Sequence, residues 1–336
     1  MSGLTRRQVV IRGATGVVAV ASAGIVVEGL VNKPKPGFDR ADFPRPGAAP
    51  VAVLRASSYE RDLEQTVSEG LRTVGVDVRG KSVLLKPNFV EFRANSVINT
   101  DPRLIAATVV AMRRQGAREV VVAEGPGHRR DTEAIVSASG LLDALTDTGA
   151  TFVDLNSAPL AETRLETRYT GLGRMWLPRP VLDADLVVSM PKLKTHHWVG
   201  VTLSLKNCFG CVPGRVYGWP KNVLHWRGIE NSILDVATAV RPGLAIIDGI
   251  VGMQGDGPIL GTPADAGVLV FSPDPVAADV TAATLMGIDP DRVHYLREAG
   301  KFLGQADLDR IEQRGEDPER NVTRFEPAPR FEKLSV

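Results

Sequence analysis

Seven short apolar runs rich in β-branched residues recur along the chain at 51–55, 82–85, 119–123, 151–155, 186–189, 244–247 and 267–271. Between many of them lie helical patterns, at 59–74, 102–115, 132–148, 229–240 and 275–285. A near-continuous apolar run has no polar face to offer water, so it suits a strand covered on both sides. Alternation of such strands with helices therefore predicts an α/β fold, a mostly parallel sheet with helices on both faces. The stretch 156–179 breaks the rhythm and reads as a hairpin insertion. With 336 residues, 43% of them apolar, there is ample material for a buried core, and the pattern assigns 51–330 to one α/β domain.

Ahead of that domain stands an address label. Thr5-Arg6-Arg7-Gln8-Val9-Val10 is a twin-arginine pattern, and an apolar Gly/Ala/Val-rich run follows over 13–27. Residues 1–33 thus read as a twin-arginine signal or membrane anchor, and the proline-rich 34–50 as a semi-rigid linker. Two outcomes stay open: cleavage at a small-x-small site within 19–23, or retention as an anchor. Either way the expected partner is the twin-arginine translocation machinery. The expected location is beyond the cytoplasmic membrane, periplasmic or at the cell surface. Because that route carries folded proteins, a bound cofactor is compatible with it.

Charge then localises the function. The chain holds 40 basic and 39 acidic residues, a balance that argues against a general nucleic-acid face. Two cysteines exclude an iron–sulfur cluster built from this chain alone. Yet the 44 residues of 186–229 contain no Asp or Glu, where chance at this composition would place roughly five. The same window holds Lys192, Lys194, Lys206, Lys221, His196, His197 and His225. A locally positive segment in a neutral protein suits an anionic ligand.

In open parallel sheets ligands sit beyond the carboxyl ends of the strands, and those ends are chemically rich here. One run passes into Lys86-Pro87-Asn88, another into Glu124-Gly125-Pro126-Gly127. A third passes into Pro191-Lys192-Leu193-Lys194-Thr195-His196, and a fourth into Asp248 and the glycine-rich loop bearing Asp256. Lys86, Asn88, Lys192, Lys194, Lys206 and Asn207 are expected to bind substrate. His196, with Glu124 or Asp256, is expected to move protons, although Glu124, Asp248 and Asp256 also read as plain salt-bridge partners for these lysines. A divalent metal held by His196, His225 and Asp248 is a further expectation. Cys208 and Cys211 read either as a structural disulfide or as two unpaired thiols, rather than as a redox pair.

The motifs KPN, EGPGH, DADLVVSMPKLKTHHWVGVTLSLKNCFGCVPG, IIDGIVGMQGDGP and DPVAADVTAATLMGIDP together resemble the family called domain of unknown function 362. The resemblance spans roughly 51–314 and implies an α/β domain, to which some members append a ferredoxin-like cluster domain. The matching cysteines are not in this chain. From residues and resemblance together, the expected function is that of an exported enzyme. Its substrate would be a small organic anion bound by carboxylate or phosphate, with metal assistance where the metal set assembles. The alternative is a non-catalytic ligand- or cofactor-binding protein at the cell surface.

Overall fold

The computed structural model describes residues 37–60, 62–127 and 131–335. The twin-arginine sequence and the apolar run after it lie outside the described residues. Among the described residues no helix is long and apolar enough to cross a membrane.

Every predicted strand forms. In chain order they are β1 (Ala49–Arg55), β2 (Ser82–Pro87), β3 (Glu119–Glu124), β4 (Thr151–Asp154), β5 (Leu160–Arg164), β6 (Arg174–Pro178), β7 (Leu186–Met190), β8 (Lys192–His196), β9 (Gly200–Thr202), β10 (Leu244–Gln254), β11 (Thr262–Ala264), β12 (Val268–Ser272) and β13 (Ile311–Gly315). The main sheet runs β13-β1-β12-β10-β7-β2-β3-β4. Its block β10-β7-β2-β3-β4 is parallel throughout. β12 runs antiparallel between β1 and β10. The expected α/β class, a mostly parallel sheet with helices, is what the chain adopts. The insertion over 156–179 is a hairpin, β5 against β6.

Pleat alternation divides the core between the two faces. Val83 and Leu85 of β2 face a cluster built from helices Leu63–Val74 and Pro102–Arg114, through Leu71 and Leu104. Leu84 faces the opposite cluster, where Ile233 of helix Ile229–Val240 and Ala277 of helix Pro275–Leu285 pack. Phe38 and Phe43, within 34–50, are buried there too, against Phe302.

The helices begin where their caps dictate. Asp62, Asp101, Asp131 and Asp274 each accept a hydrogen bond from a first-turn backbone N–H, satisfying a donor that helix geometry orphans. The pattern over 132–148 forms two helices, Thr132–Ala138 and Leu141–Leu145, rather than one. Gly140 between them sits at φ 75°, a left-handed conformation that stops a helix and that glycine adopts without steric cost.

Candidate functional site

β2 and β3 are parallel neighbours, so their carboxyl ends place Lys86 and Glu124 side by side. Both are buried, and the Lys86 ammonium lies 2.7 Å from Glu124 Oε2. Its other two protons go to Pro87 O and Asn207 Oδ1, each at 2.8 Å. Glu124 in turn accepts from the backbone N–H groups of Phe89 and Gly125. A buried ion pair is tolerable only when its remaining valences are met like this. The turn Cys208–Cys211 lies directly on the pair. A Cβ on Gly210 would collide with both Glu124 Oε1 and Lys86 Nζ, so glycine is needed there for close approach.

Around this pair opens a cavity of about 160 Å³, with Lys86, Lys194, Lys206 and Lys221 in its lining. Glu124 is the one carboxylate among the described lining residues. The lysines are not equivalent. Lys221 donates to Gly125 O and Phe209 O at 2.9 and 2.8 Å, and burial draws its pKa down to about 7. Lys194, 0% exposed, donates to Ile98 O at 2.8 Å and more weakly to Pro258 O. Burial, then the Lys206, Lys192 and Lys86 ammoniums, hold its pKa far below the ordinary lysine value. Lys206 is part-exposed and has no hydrogen bond or ion pair with any described residue. Its ammonium stands 4.5 Å from the Phe209 ring centroid, and burial with the Lys86 charge brings its pKa to about 8.

Neutral polar groups face the cavity as well. His196 accepts at Nδ1 from the Trp198 backbone N–H at 3.0 Å, which assigns its proton to Nε2. Burial and then the Lys206 charge keep the ring uncharged. Asn88 Oδ1 and Thr202 Oγ1, both in the lining, are buried without a hydrogen-bond partner in the protein. Such orphaned polar atoms are rare in folded interiors and call for an explanation. A water or a small molecule in the cavity supplies one. At the mouth, Trp198 is half-exposed and meets the His197 and His225 rings edge-on at 4.9 and 5.3 Å.

The structure brings Lys86, Asn88, Glu124, Lys194, His196, Lys206, Asn207 and His225 to this one cavity. Lys192 goes elsewhere. It follows Lys194 in strand parity, but its ammonium is held 2.6 Å from Asp248 Oδ2 and 2.9 Å from the Tyr59 hydroxyl. Asp248 also accepts from Tyr59 and from the Asp101 backbone N–H. The proposed metal set does not assemble. Asp248 is committed to that network, and among the described residues no group of three His, Cys, Asp or Glu side chains could hold a metal ion. Asp256 stands outside the lining, on the surface, 3.6 Å from His197 Nδ1. Of the two readings of the cysteines, the structure has two free, buried thiols. Burial raises the pKa of both, that of Cys211 to about 12, which leaves them inert.

Lys221, Thr202 and Gly210 are site residues that the sequence reading did not single out. Lys221 lies in the acid-free window but beyond any strand end. It reaches the cavity through a left-handed backbone at φ 67°.

This cationic pocket at the carboxyl edge of an α/β sheet belongs to a recognisable class of sequence. The family model described as a domain of unknown function, DUF362, matches residues 83–284, well over half of the chain. The protein is a member of that family. A thylakoid-associated protein of Synechocystis sp. is 29% identical over 252 residues, covering 71% of this chain and 75% of its own. Among solved structures, the lactate racemase apoprotein of Thermoanaerobacterium thermosaccharolyticum aligns with a TM-score of 0.45 at 14% identity, over 74% of this chain and 59% of its own. A Thermotoga maritima protein aligns at 0.37 and 10% identity, over 69% and 60%. The chain thus spans about three fifths of the length of each of these two structures.

Proposed function

We propose that this protein is an exported enzyme that binds a small organic anion, by carboxylate or phosphate, in the Lys206 cavity and moves a proton on it. One observation supports this above the rest: four lysines line a cavity that holds a single carboxylate, and that carboxylate is already bound to Lys86. Uncompensated buried ammoniums are costly, and an anionic ligand relieves that cost. Lys206 and the Nε2–H of His196 are the direct contacts in this reading. Lys221, with its pKa drawn to about 7, adds part of a positive charge from behind the wall, where the low local dielectric strengthens it, while Lys194 is tied to the Ile98 carbonyl. The size is that of a few-carbon acid, since a cavity of about 150 Å³ accepts a molecule like benzene.

Proton transfer is supported by a part-exposed lysine whose pKa is drawn towards neutrality. Lys206, at about 8, can exchange a proton near physiological pH, while neutral His196 offers its Nε2–H as a fixed hydrogen-bond donor. Glu124 is fully engaged by three donors, so it serves as the counter-charge of Lys86 rather than as the base. Deuterium exchange separates enzyme from binder. The folded chain is incubated in D2O with small carboxylic acids, and the carbon-bound protons are followed by NMR. Exchange that is lost in Lys206→Arg, which keeps the charge, supports catalysis, whereas saturable binding without exchange leaves a binding protein.

Export rests on Arg6 and Arg7. Replacing both with lysine is expected to strand the full-length chain in the cytoplasm on fractionation. Unchanged localisation would remove export from the proposal.

A further inference from the structure

The anion-binding reading leaves the chemistry of Lys206 itself unused. Lys86 gives all three ammonium protons to protein oxygens, and Lys221 gives two. Lys194 is sealed in the wall at 0% exposure. Lys206 alone of the four is both part-exposed and without an acceptor among the described residues. Its backbone is pinned. The buried Asp279 carboxylate accepts from Ser204 N and Leu205 N at 2.7 and 2.9 Å. The Asn207 side chain is tied to Lys86 O and Ser189 Oγ. A lysine fixed in place, desolvated and set beside another ammonium is the arrangement that turns an amine into a nucleophile. With its pKa near 8, roughly one Lys206 in ten is a free amine at neutral pH.

Resting on the anion-binding reading, we propose that Lys206 condenses with the carbonyl carbon of a small oxo carboxylate to form an imine. The amine lone pair attacks the carbonyl carbon, and the carbonyl oxygen takes up a proton to give a carbinolamine. The nitrogen then loses a proton, and the hydroxyl leaves as water with another proton while the C=N bond forms. No oxidant or reductant is consumed. His196 lies in the same lining with its proton on Nε2, near enough for the Lys206 charge to bear on it, so it can hydrogen-bond the carbonyl oxygen as negative charge develops there, while the protons pass to and from water that reaches the part-exposed Lys206. The buried hydroxyl of Thr202, unpartnered in the protein, is a donor for the ligand carboxylate.

Borohydride trapping with the full-length folded chain tests this, with pyruvate and glyoxylate as probes. The expected result is one reduced adduct per chain, mapped by peptide mass spectrometry to the segment containing Lys206. It should be absent without borohydride and absent in Lys206→Arg, which keeps the positive charge. At saturating probe the trapping rate should rise several-fold between pH 7 and pH 9, as the amine loses its proton. Calorimetric titration of the same sample separates the two readings. Probe binding with no adduct, or with adducts spread over surface lysines, overturns the imine and leaves anion binding standing. An absence of binding to either probe and to inorganic phosphate overturns both.

Discussion

Lys206 and Lys86 are adjacent in space and opposite in energetic character. Lys206→Met keeps the apolar stem over Phe209 and removes an ammonium with no hydrogen-bond or ion-pair partner among the described residues. Anion affinity should fall at least about tenfold, or ~1.4 kcal/mol, while thermal unfolding shifts by no more than a few degrees. Lys86→Met should do the reverse, because it leaves Glu124 buried and unpaired. A loss of about 3–5 kcal/mol in urea unfolding is expected. Gly210→Ala attacks the same pair from above, through its collision with Glu124 and Lys86. It should cost several kcal/mol in the same measurement. Some of this was legible in the sequence. The missing acids of 186–229 mark Lys194 and Lys206, because a strand-end lysine without nearby Asp or Glu has no local partner. Lys192 looked identical by that criterion. Its partner Asp248, already one of the acids read as a candidate, comes from a strand some fifty residues later, and the register of β8 on β10 is what selects it for Lys192 rather than Lys194. Lys221 was invisible as a cavity-lining group, since a positive-φ backbone turns it inward from a loop.

At the level of elements, the segment Ser204–Asn207 positions the site, and Asp279 of helix Pro275–Leu285 holds its first turn. Burial raises the Asp279 pKa to about 8, and two backbone donors oppose that rise. Asp279→Asn replaces one of the two accepting oxygens with an amide donor while preserving shape. Amide exchange over 204–207 should accelerate by an order of magnitude or more, global stability should fall by about 1–3 kcal/mol, and anion affinity should weaken with Lys206 itself unaltered. Unchanged exchange there would show that the turn is held by packing alone. Strands and helices were readable in the sequence because each carries its own periodicity and, for several helices, an aspartate cap. Their edges were less so. The helix expected over 132–148 divides at Gly140, whose conformation a lone glycine in a helical pattern does not announce. The register between β8 and β10 shifts between Asp248 and Met253, which no local signal predicts.

The whole molecule carries nearly equal numbers of acids and bases, so the cavity's charge is a local anomaly with a global consequence in pH. An unfolded chain holds lysine protons up to the ordinary value of 10.5, whereas folded Lys221 and Lys206 release theirs near 7 and 8. Between those values the unfolded state binds more protons, so these groups make stability rise with pH from about 7 towards 10. Anion binding should follow the opposite sense, strongest near pH 6–7 and weakening several-fold by pH 9 as the ammoniums are lost. Thermal shift with and without inorganic phosphate across that range reads both slopes. The most direct test of the anion site is calorimetric titration of the folded chain with pyruvate at pH 7, wild type beside Lys206→Met. The expected result is a single saturable site in the wild type, weakened at least tenfold in the variant. Equal affinity in the two proteins, or no saturable binding in the wild type, would contradict it.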